Sequence, residues 1–144
     1  MILQVIAGIF CASFLEWTVH KYLLHGKRNK KPLIKFHWSG HHATARRNAF
    51  QDAVVSLREL IGILLLCILF SPMILFFPFV YYTMFFHAIL YLVLHNVSHK
   101  YPSFGKRFMP WHYDHHMGVN QNLNWCVVHP LADYILRTRK KYEY

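Results

Sequence analysis

The chain alternates between long apolar stretches and shorter polar segments. The first apolar stretch runs from Met1 to Leu15, is interrupted only by Gln4, and reaches spanning length if its helix continues to His20. The second runs from Leu60 to His99 and contains no Asp, Glu, Lys or Arg in 40 positions. Since a membrane-spanning helix needs about 20 mostly apolar residues, this pattern predicts one span at the N-terminus and a hairpin of two spans.

A tight return between Pro72 and Pro78 is predicted to join the two spans of the hairpin. Proline lacks an amide hydrogen and disrupts the turn that precedes it, so either residue could end a helix. The sequence leaves open which of them does. We expect one domain over residues 1–144, divided into a first span at 1–19, a polar segment at 20–58, a hairpin at 59–98 and a polar segment at 99–144.

Two alternatives explain the apolar stretches less well. A buried core is improbable because a soluble domain of 144 residues could not surround a 40-residue uncharged block. A cleaved signal peptide is disfavoured because the first stretch has no basic start and no clear cleavage site. The richness in apolar and aromatic residues excludes a disordered chain, and three cysteines without paired spacing exclude a disulfide scaffold.

The charge distribution predicts the orientation in the membrane. The chain has 16 Lys and Arg against 6 Asp and Glu, a net charge of +10. Every basic residue lies in segment 20–58 or segment 99–144, and the return between the hairpin spans has none. Because Lys and Arg mark cytoplasmic loops, we expect the N-terminus outside and both polar segments in the cytoplasm, in a bacterial inner membrane or the endoplasmic reticulum. Nucleic-acid binding explains the charge less well, since the basic residues flank the spans.

Ten of the 12 histidines fall into four short clusters beside or within the polar segments. The clusters are His20 and His25; His37, His41 and His42; His95 and His99; and His112, His115 and His116. Residues three or four apart share one face of a helix, so most of these spacings can aim imidazoles at a common point. Neutral imidazole is the commonest metal ligand among side chains. A single site uses three or four such ligands, so ten indicate two metal ions.

The first cluster fits a regular helix poorly. Five residues on an ideal helix turn by about 500°, so His25 would point well away from His20. Gly26 follows immediately, and glycine is common just after a helix end. We therefore expect the helix to fray near His25. His87 and His129 are expected to lie outside the metal site.

Two acidic residues are candidates to support the metal ligands. A metal-bound histidine usually donates its other ring N–H to a carboxylate or carbonyl. Glu16 precedes His20 by one helical turn, and Asp114 lies inside the last cluster. The alternative for both is solvation or pairing with a nearby Lys or Arg.

The order H-x4-H, H-x3-HH, H-x3-H, H-x2-HH resembles the membrane fatty acid hydroxylase superfamily, which includes sterol desaturases, carotene hydroxylases and fatty acid 2-hydroxylases. The segment Glu16–His25 is similar to that family's opening histidine helix. Residues 110–118 and 124–133 resemble a bacterial-type branch. The similarity covers nearly the whole chain. The second motif is one residue longer than its commonest form, H-x2-HH.

This resemblance implies an all-α integral membrane protein, here with about three transmembrane helices and a cytoplasmic helical cap that holds a dimetal site. It implies hydroxylation of a lipid or fatty acyl C–H bond by two iron ions with O2 as co-substrate and electrons from an external donor; zinc could replace iron during purification. The alternatives are a lipid desaturase with the same centre or a non-enzymatic membrane metal-binding protein. By motif position the metal ligands would be His20, His25, His37, His41, His42, His95, His99, His112, His115 and His116.

Overall fold

The computed structural model describes residues 1–26, 35–52 and 56–143, which form helices and, within these ranges, no β-strand. The predicted all-α membrane class with buried histidine clusters is confirmed. The elements in chain order are α1 (Ile2–Thr18), a first π-helix (Val19–His25), a second π-helix (Phe36–His42), α2 (Ala43–Arg47), α3 (Leu57–Phe70), a 3₁₀-helix (Ser71–Leu75), α4 (Pro78–Lys100), α5 (Pro102–Phe108), α6 (Pro110–Met117) and α7 (Leu131–Ile135).

Three helical segments of the described chain are long and apolar enough to cross a membrane: Ile2–His25, Leu57–Leu75 and Pro78–Lys100. They overlap the first predicted span and the two spans of the predicted hairpin. Helix α3 buries none of its residues inside the protein, although its sequence is almost entirely apolar. Apolar surface of this extent is unfavourable in water and matches the hydrocarbon of a bilayer.

The return of the hairpin uses both prolines in different ways. Helix α3 ends at Phe70, and Pro72 lies in the first turn of the 3₁₀-helix that follows. Pro78 is the first residue of α4, where its missing amide hydrogen costs nothing because that donor would have no helical partner. The first helix of the hairpin therefore ends before Pro72, and Pro78 starts the second.

Helix α1 packs closely against α4 at Gly8. A Cβ atom built on Gly8 would lie only 2.6 Å from the Cβ of Thr83 and 3.0 Å from the carbonyl oxygen of Val80. Only a residue without a side chain allows this approach. The contact holds α1 directly beside α4.

The first span ends in a wider type of helix and does not fray. Residues Val19–His25 form a π-helix, in which backbone hydrogen bonds join residues five apart. The last of these bonds runs from the Gly26 amide to the Lys21 carbonyl at 3.0 Å. Gly26 then adopts a φ of 48°, a conformation that favours glycine, and ends the helix. The expected fraying near His25 was wrong, because the π-helix itself brings residues five apart onto one face.

The C-terminal segment returns to the first span and is held there by side chains of α1. The Ser13 hydroxyl accepts a hydrogen bond from the Ala132 amide at 3.1 Å. The Trp17 indole donates to the Thr138 hydroxyl at 2.9 Å. Trp17 also packs in a small buried cluster with Trp125, Cys126 and Ala132. These contacts attach the end of the chain to the polar end of α1.

Replacing Gly8 by leucine is expected to destabilise the protein, because the new side chain would force α1 away from α4. Overpacking of this kind costs roughly 1–3 kcal/mol. The matched control is Gly62→Leu, since a Cβ at Gly62 of α3 meets no atom within 4 Å. Thermal unfolding in detergent should show a lower midpoint for Gly8→Leu alone. Equal midpoints for the two variants would contradict the close packing at Gly8.

Candidate metal centre

All ten clustered histidines converge at one end of the membrane helices and are buried. Their exposed fractions range from 0% to 8%. They come from the first π-helix, the second π-helix, the end of α4 and α6. Within the described residues the ring nitrogens of nine of them assemble into two groups that could hold metal ions, and His112 lies beside His99 of the second group.

The first group contains His20, His25, His37, His42 and His115, whose ligand atoms all lie within 4.8 Å of one another. The Nε2 atom of His42 lies 3.1 Å from Nε2 of both His25 and His115, and 3.2 Å from Nε2 of His37. One ring nitrogen has either one hydrogen or one lone pair, so it cannot satisfy three neighbours by hydrogen bonding. Two nitrogens that bind one ion at about 2.0–2.1 Å lie roughly 3.0–3.4 Å apart. The spacing therefore fits ligands of a shared metal ion.

The second group contains His41, His95, His99 and His116. The Nε2 atoms of His95 and His41 are 3.1 Å apart, and Nε2 of His112 lies 3.1 Å from Nε2 of His99, at the edge of the group. Among the described residues, neither ring nitrogen of the fully buried His116 has a hydrogen-bond partner. Burying polar atoms without partners is unfavourable, and a metal ligand role would satisfy one of them.

Three histidines are oriented by backbone carbonyl groups that accept hydrogen bonds from Nδ1. The pairs are His20 with Trp125, His99 with Phe50, and His115 with Leu123, at 2.5, 2.7 and 2.7 Å respectively. Donation from Nδ1 fixes the tautomer, because the proton of the neutral ring is then on Nδ1. The lone pair of Nε2 is left pointing at the group, as in histidines that bind metals.

Two carboxylates accompany the second group. Asp52 Oδ2 lies 2.6 Å from Nδ1 of His41, and Glu59 Oε1 lies 3.8 Å from Nδ1 of His95. Neither residue is among the candidates that the sequence indicates. Glu59 and Ser56 also form the capping box at the start of α3. This is the role that the position of Glu59 in the sequence suggests. The only sequence signal for either acid is its rarity, since the chain has six in total.

Glu16 and Asp114 have other partners than the ones their positions suggested. Glu16 Oε2 lies 2.8 Å from Nε2 of His87, and Asp114 Oδ2 forms a 2.7 Å ion pair with Arg139. The Asp114 carboxylate thus follows the alternative of pairing with a basic residue. His87 is half-buried beside Glu16 and His129 is exposed, so the structure places both outside the two groups.

The sequence clusters do not map one to one onto the two groups. His37 and His42, five residues apart in the second π-helix, belong to the first group, while His41 belongs to the second. In α6, His115 joins the first group and His116 joins the second. Adjacent histidines point in different directions on a helix. Each pair of neighbouring histidines therefore divides between the two groups.

Burial keeps the histidines outside the membrane spans uncharged. Desolvation holds the pKa of His37, His42, His112, His115 and His116 well below the usual value, and neighbouring histidines lower it further. Neutral imidazole is the form that binds metal ions. These five histidines are therefore in their ligand form at neutral pH.

A protein-family model matches nearly the whole chain. The model described as fatty acid hydroxylase covers residues 5–138, which include all ten clustered histidines. Neither the curated proteins nor the solved structures contain a significant match. The resemblance to the membrane fatty acid hydroxylase superfamily is confirmed, and the bacterial-type branch stays a prediction.

Replacing Asp52 by alanine is expected to weaken metal binding at the second group, because His41 would lose the acceptor that orients it. Loss of such a partner typically lowers metal affinity by 10- to 100-fold. Competition with a chelator of known affinity measures the change. His129→Ala is the control and should leave the affinity unaltered. An Asp52→Ala protein with unchanged affinity would contradict this role of the carboxylate.

The metal-free protein is expected to lose stability as the pH falls below about 6.5, the usual histidine pKa in an unfolded chain. The unfolded chain then takes up protons that the folded chain, with its lowered histidine pKa values, does not bind. Each such histidine contributes up to about 1.4 kcal/mol per pH unit. The midpoint temperature of thermal unfolding should fall as the pH is lowered from 7.5 to 5. A midpoint that does not change with pH would show that the buried histidines do not destabilise the protein in acid.

Proposed function

Because the chain belongs to the fatty acid hydroxylase family, we propose that it hydroxylates a C–H bond of a lipid or fatty acyl chain with dioxygen and two histidine-bound iron ions. The observation that carries the proposal is the pair of neighbouring histidine groups at the polar end of three membrane helices. The ten histidines named above are the proposed ligands. Five would serve the first ion, and His41, His95, His99, His112 and His116 the second.

The set of donor atoms is compatible with a redox-active metal, which the proposed oxidation requires. Imidazole binds iron, zinc, copper and nickel, but zinc has no redox chemistry and so cannot drive an oxidation. When bound, two iron ions would supply the reductive activation of dioxygen. Overall, one oxygen atom is inserted into the C–H bond and the other leaves as water, with two electrons and two protons from an external donor. The protein's part is to hold the histidines neutral, oriented and away from bulk water.

The surroundings of the histidines support a lipid substrate. An apolar cleft between α1, α3 and α4 is lined by residues that include Leu15, Ile63, Met84 and Ala88. The Tyr91 ring, one turn further along α4, stacks on His95 with 5.4 Å between ring centroids. The cleft has a volume of about 60 Å³, so it would hold only a short segment of an acyl chain, with the rest in the bilayer and the target carbon near the histidine groups. Such an arrangement would keep the apolar part of the substrate out of water.

The charge distribution supports a cytoplasmic position for the site and an external electron donor. Both basic segments adjoin the histidine groups, which agrees with the preference of Lys and Arg for the cytoplasmic side. Electrons would come from a separate carrier. A basic surface of this kind would attract an acidic carrier protein.

The proposed activity is tested by expressing the chain in cells supplied with iron and profiling their membrane lipids by mass spectrometry. We expect lipids that gain the mass of one oxygen atom. The product should fall to the level of cells without the chain when His42 and His116, one from each group, are both changed to alanine. His129→Ala should retain the product.

The same measurement separates the alternatives. Lipids that lose two hydrogens instead of gaining oxygen would indicate a desaturase. A further outcome is that the lipids stay unchanged although the purified protein carries two iron ions and accepts electrons from a chemical reductant. That result would favour a metal-binding protein without this activity. Protein that holds fewer than two ions under every loading condition would contradict the dimetal site.

A further inference from the structure

Glu16 is a buried carboxylate inside the first membrane span, and its side chain is only 6% exposed. It contacts two other parts of the chain. One oxygen accepts hydrogen bonds from the amides of Val127 at 2.5 Å and Val128 at 3.3 Å, and the other lies 2.8 Å from Nε2 of His87 in α4. A buried carboxylate without partners would be strongly unfavourable, so these contacts fix where the C-terminal segment lies.

A second buried carboxylate continues the same contact. Asp133 accepts hydrogen bonds from the amides of Trp125 at 2.9 Å and Cys126 at 2.8 Å. The four consecutive amides of residues 125–128 are therefore bound by two carboxylates, two amides each. Glu16 comes from the membrane span, whereas Asp133 belongs to the C-terminal segment itself. Glu16 is thus the carboxylate that ties the amides of residues 127 and 128 to the span, in addition to the contacts that Ser13 and Trp17 make with this segment.

The same segment orients two histidines of the first group. The Trp125 carbonyl accepts the hydrogen bond of His20, and the Leu123 carbonyl accepts that of His115. The second group is oriented differently, by the carbonyl of Phe50 and the carboxylate of Asp52, while Glu59 lies 3.8 Å from His95. The contacts of Glu16 therefore lead to one group and not to the other.

We propose that Glu16 is a positioning residue for the first histidine group. By binding the amides of Val127 and Val128 it holds the carbonyls of Trp125 and Leu123 where they orient His20 and His115. Removing the carboxylate lets this backbone shift and weakens metal binding at the first group, while the second group keeps its affinity. The inference rests on the proposed ligand role of the histidines.

His87 completes this arrangement from the opposite side. Its Nε2 atom binds the carboxylate oxygen that the two amides leave free, so Glu16 is held between α4 and the C-terminal segment. The contact explains why two ionisable side chains lie inside the apolar spans, because polar groups within a membrane pair with one another. It also gives His87 a role although it lies outside both groups.

The test is a titration of the metal-free protein in detergent with Co²⁺, followed by visible absorption. Two binding phases are expected, and single variants assign them: His25→Ala removes the phase of the first group and His95→Ala that of the second. Glu16→Ala should weaken only the first-group phase, by 10- to 100-fold, the usual effect of losing support behind a ligand. Asp52→Ala should weaken only the second-group phase. Glu143→Gln, at an exposed carboxylate, should change neither.

Glu16→Gln is the conservative variant, and it decides the question if Glu16→Ala does not fold. Its amide oxygen can still accept hydrogen bonds from the two backbone amides, so we expect a smaller loss at the first group than with alanine. Unchanged affinity of Glu16→Ala in both phases, or of Glu16→Gln if the alanine variant does not fold, would overturn the inference. So would equal weakening of both phases with a lower unfolding midpoint, which indicates a merely structural role. A wild-type protein without Co²⁺ phases would instead reject the metal centre itself, and the inference with it.

Discussion

The constraint on which the rest of the structure depends is the burial of ten imidazole rings around two points. Neighbouring Nε2 atoms lie 3.1 Å apart. The rings have too few protons to join all of these atoms by hydrogen bonds. Converging lone pairs repel one another in a buried site, and bound cations would replace that repulsion by metal–ligand bonds. The histidines are held in this arrangement by the membrane helices, the two π-helices and the C-terminal segment, each of which supplies either rings or the groups that orient them.

The two groups are built from shared elements but are supported in different ways. The first is oriented mainly by backbone carbonyls of the C-terminal segment, which Glu16 and Asp133 hold through amides 125–128. The second is supported by the carboxylate of Asp52 and the carbonyl of Phe50, with the Glu59 carboxylate 3.8 Å from His95. A carboxylate donates more negative charge toward its histidine than a carbonyl does, so two ions would experience different surroundings. Two neighbouring ions in different environments would suit a reaction in which each ion has a different role.

The π-helices are the local device that makes the convergence possible. In an α-helix His20 and His25 would point apart by about 140°, and so would His37 and His42. Hydrogen bonding between residues five apart returns each pair to one face. The second motif, one residue longer than its commonest form in the family, fits the same geometry: the added residue lies in a helix whose turn is wider. His37 consequently reaches the first group.

The sequence by itself determined the spans, because forty uncharged positions and two prolines allow little besides an apolar hairpin. It also determined which histidines gather, because their clustering beside the spans is a local property. Only the tertiary structure decided how they divide between two groups, since adjacent residues on a helix point in different directions. It also decided the partners of the acids: Asp52 reaches His41, Glu16 reaches His87 and Asp114 reaches Arg139. Those pairings depend on the packing of segments far apart in sequence, and no spacing along the chain encodes them.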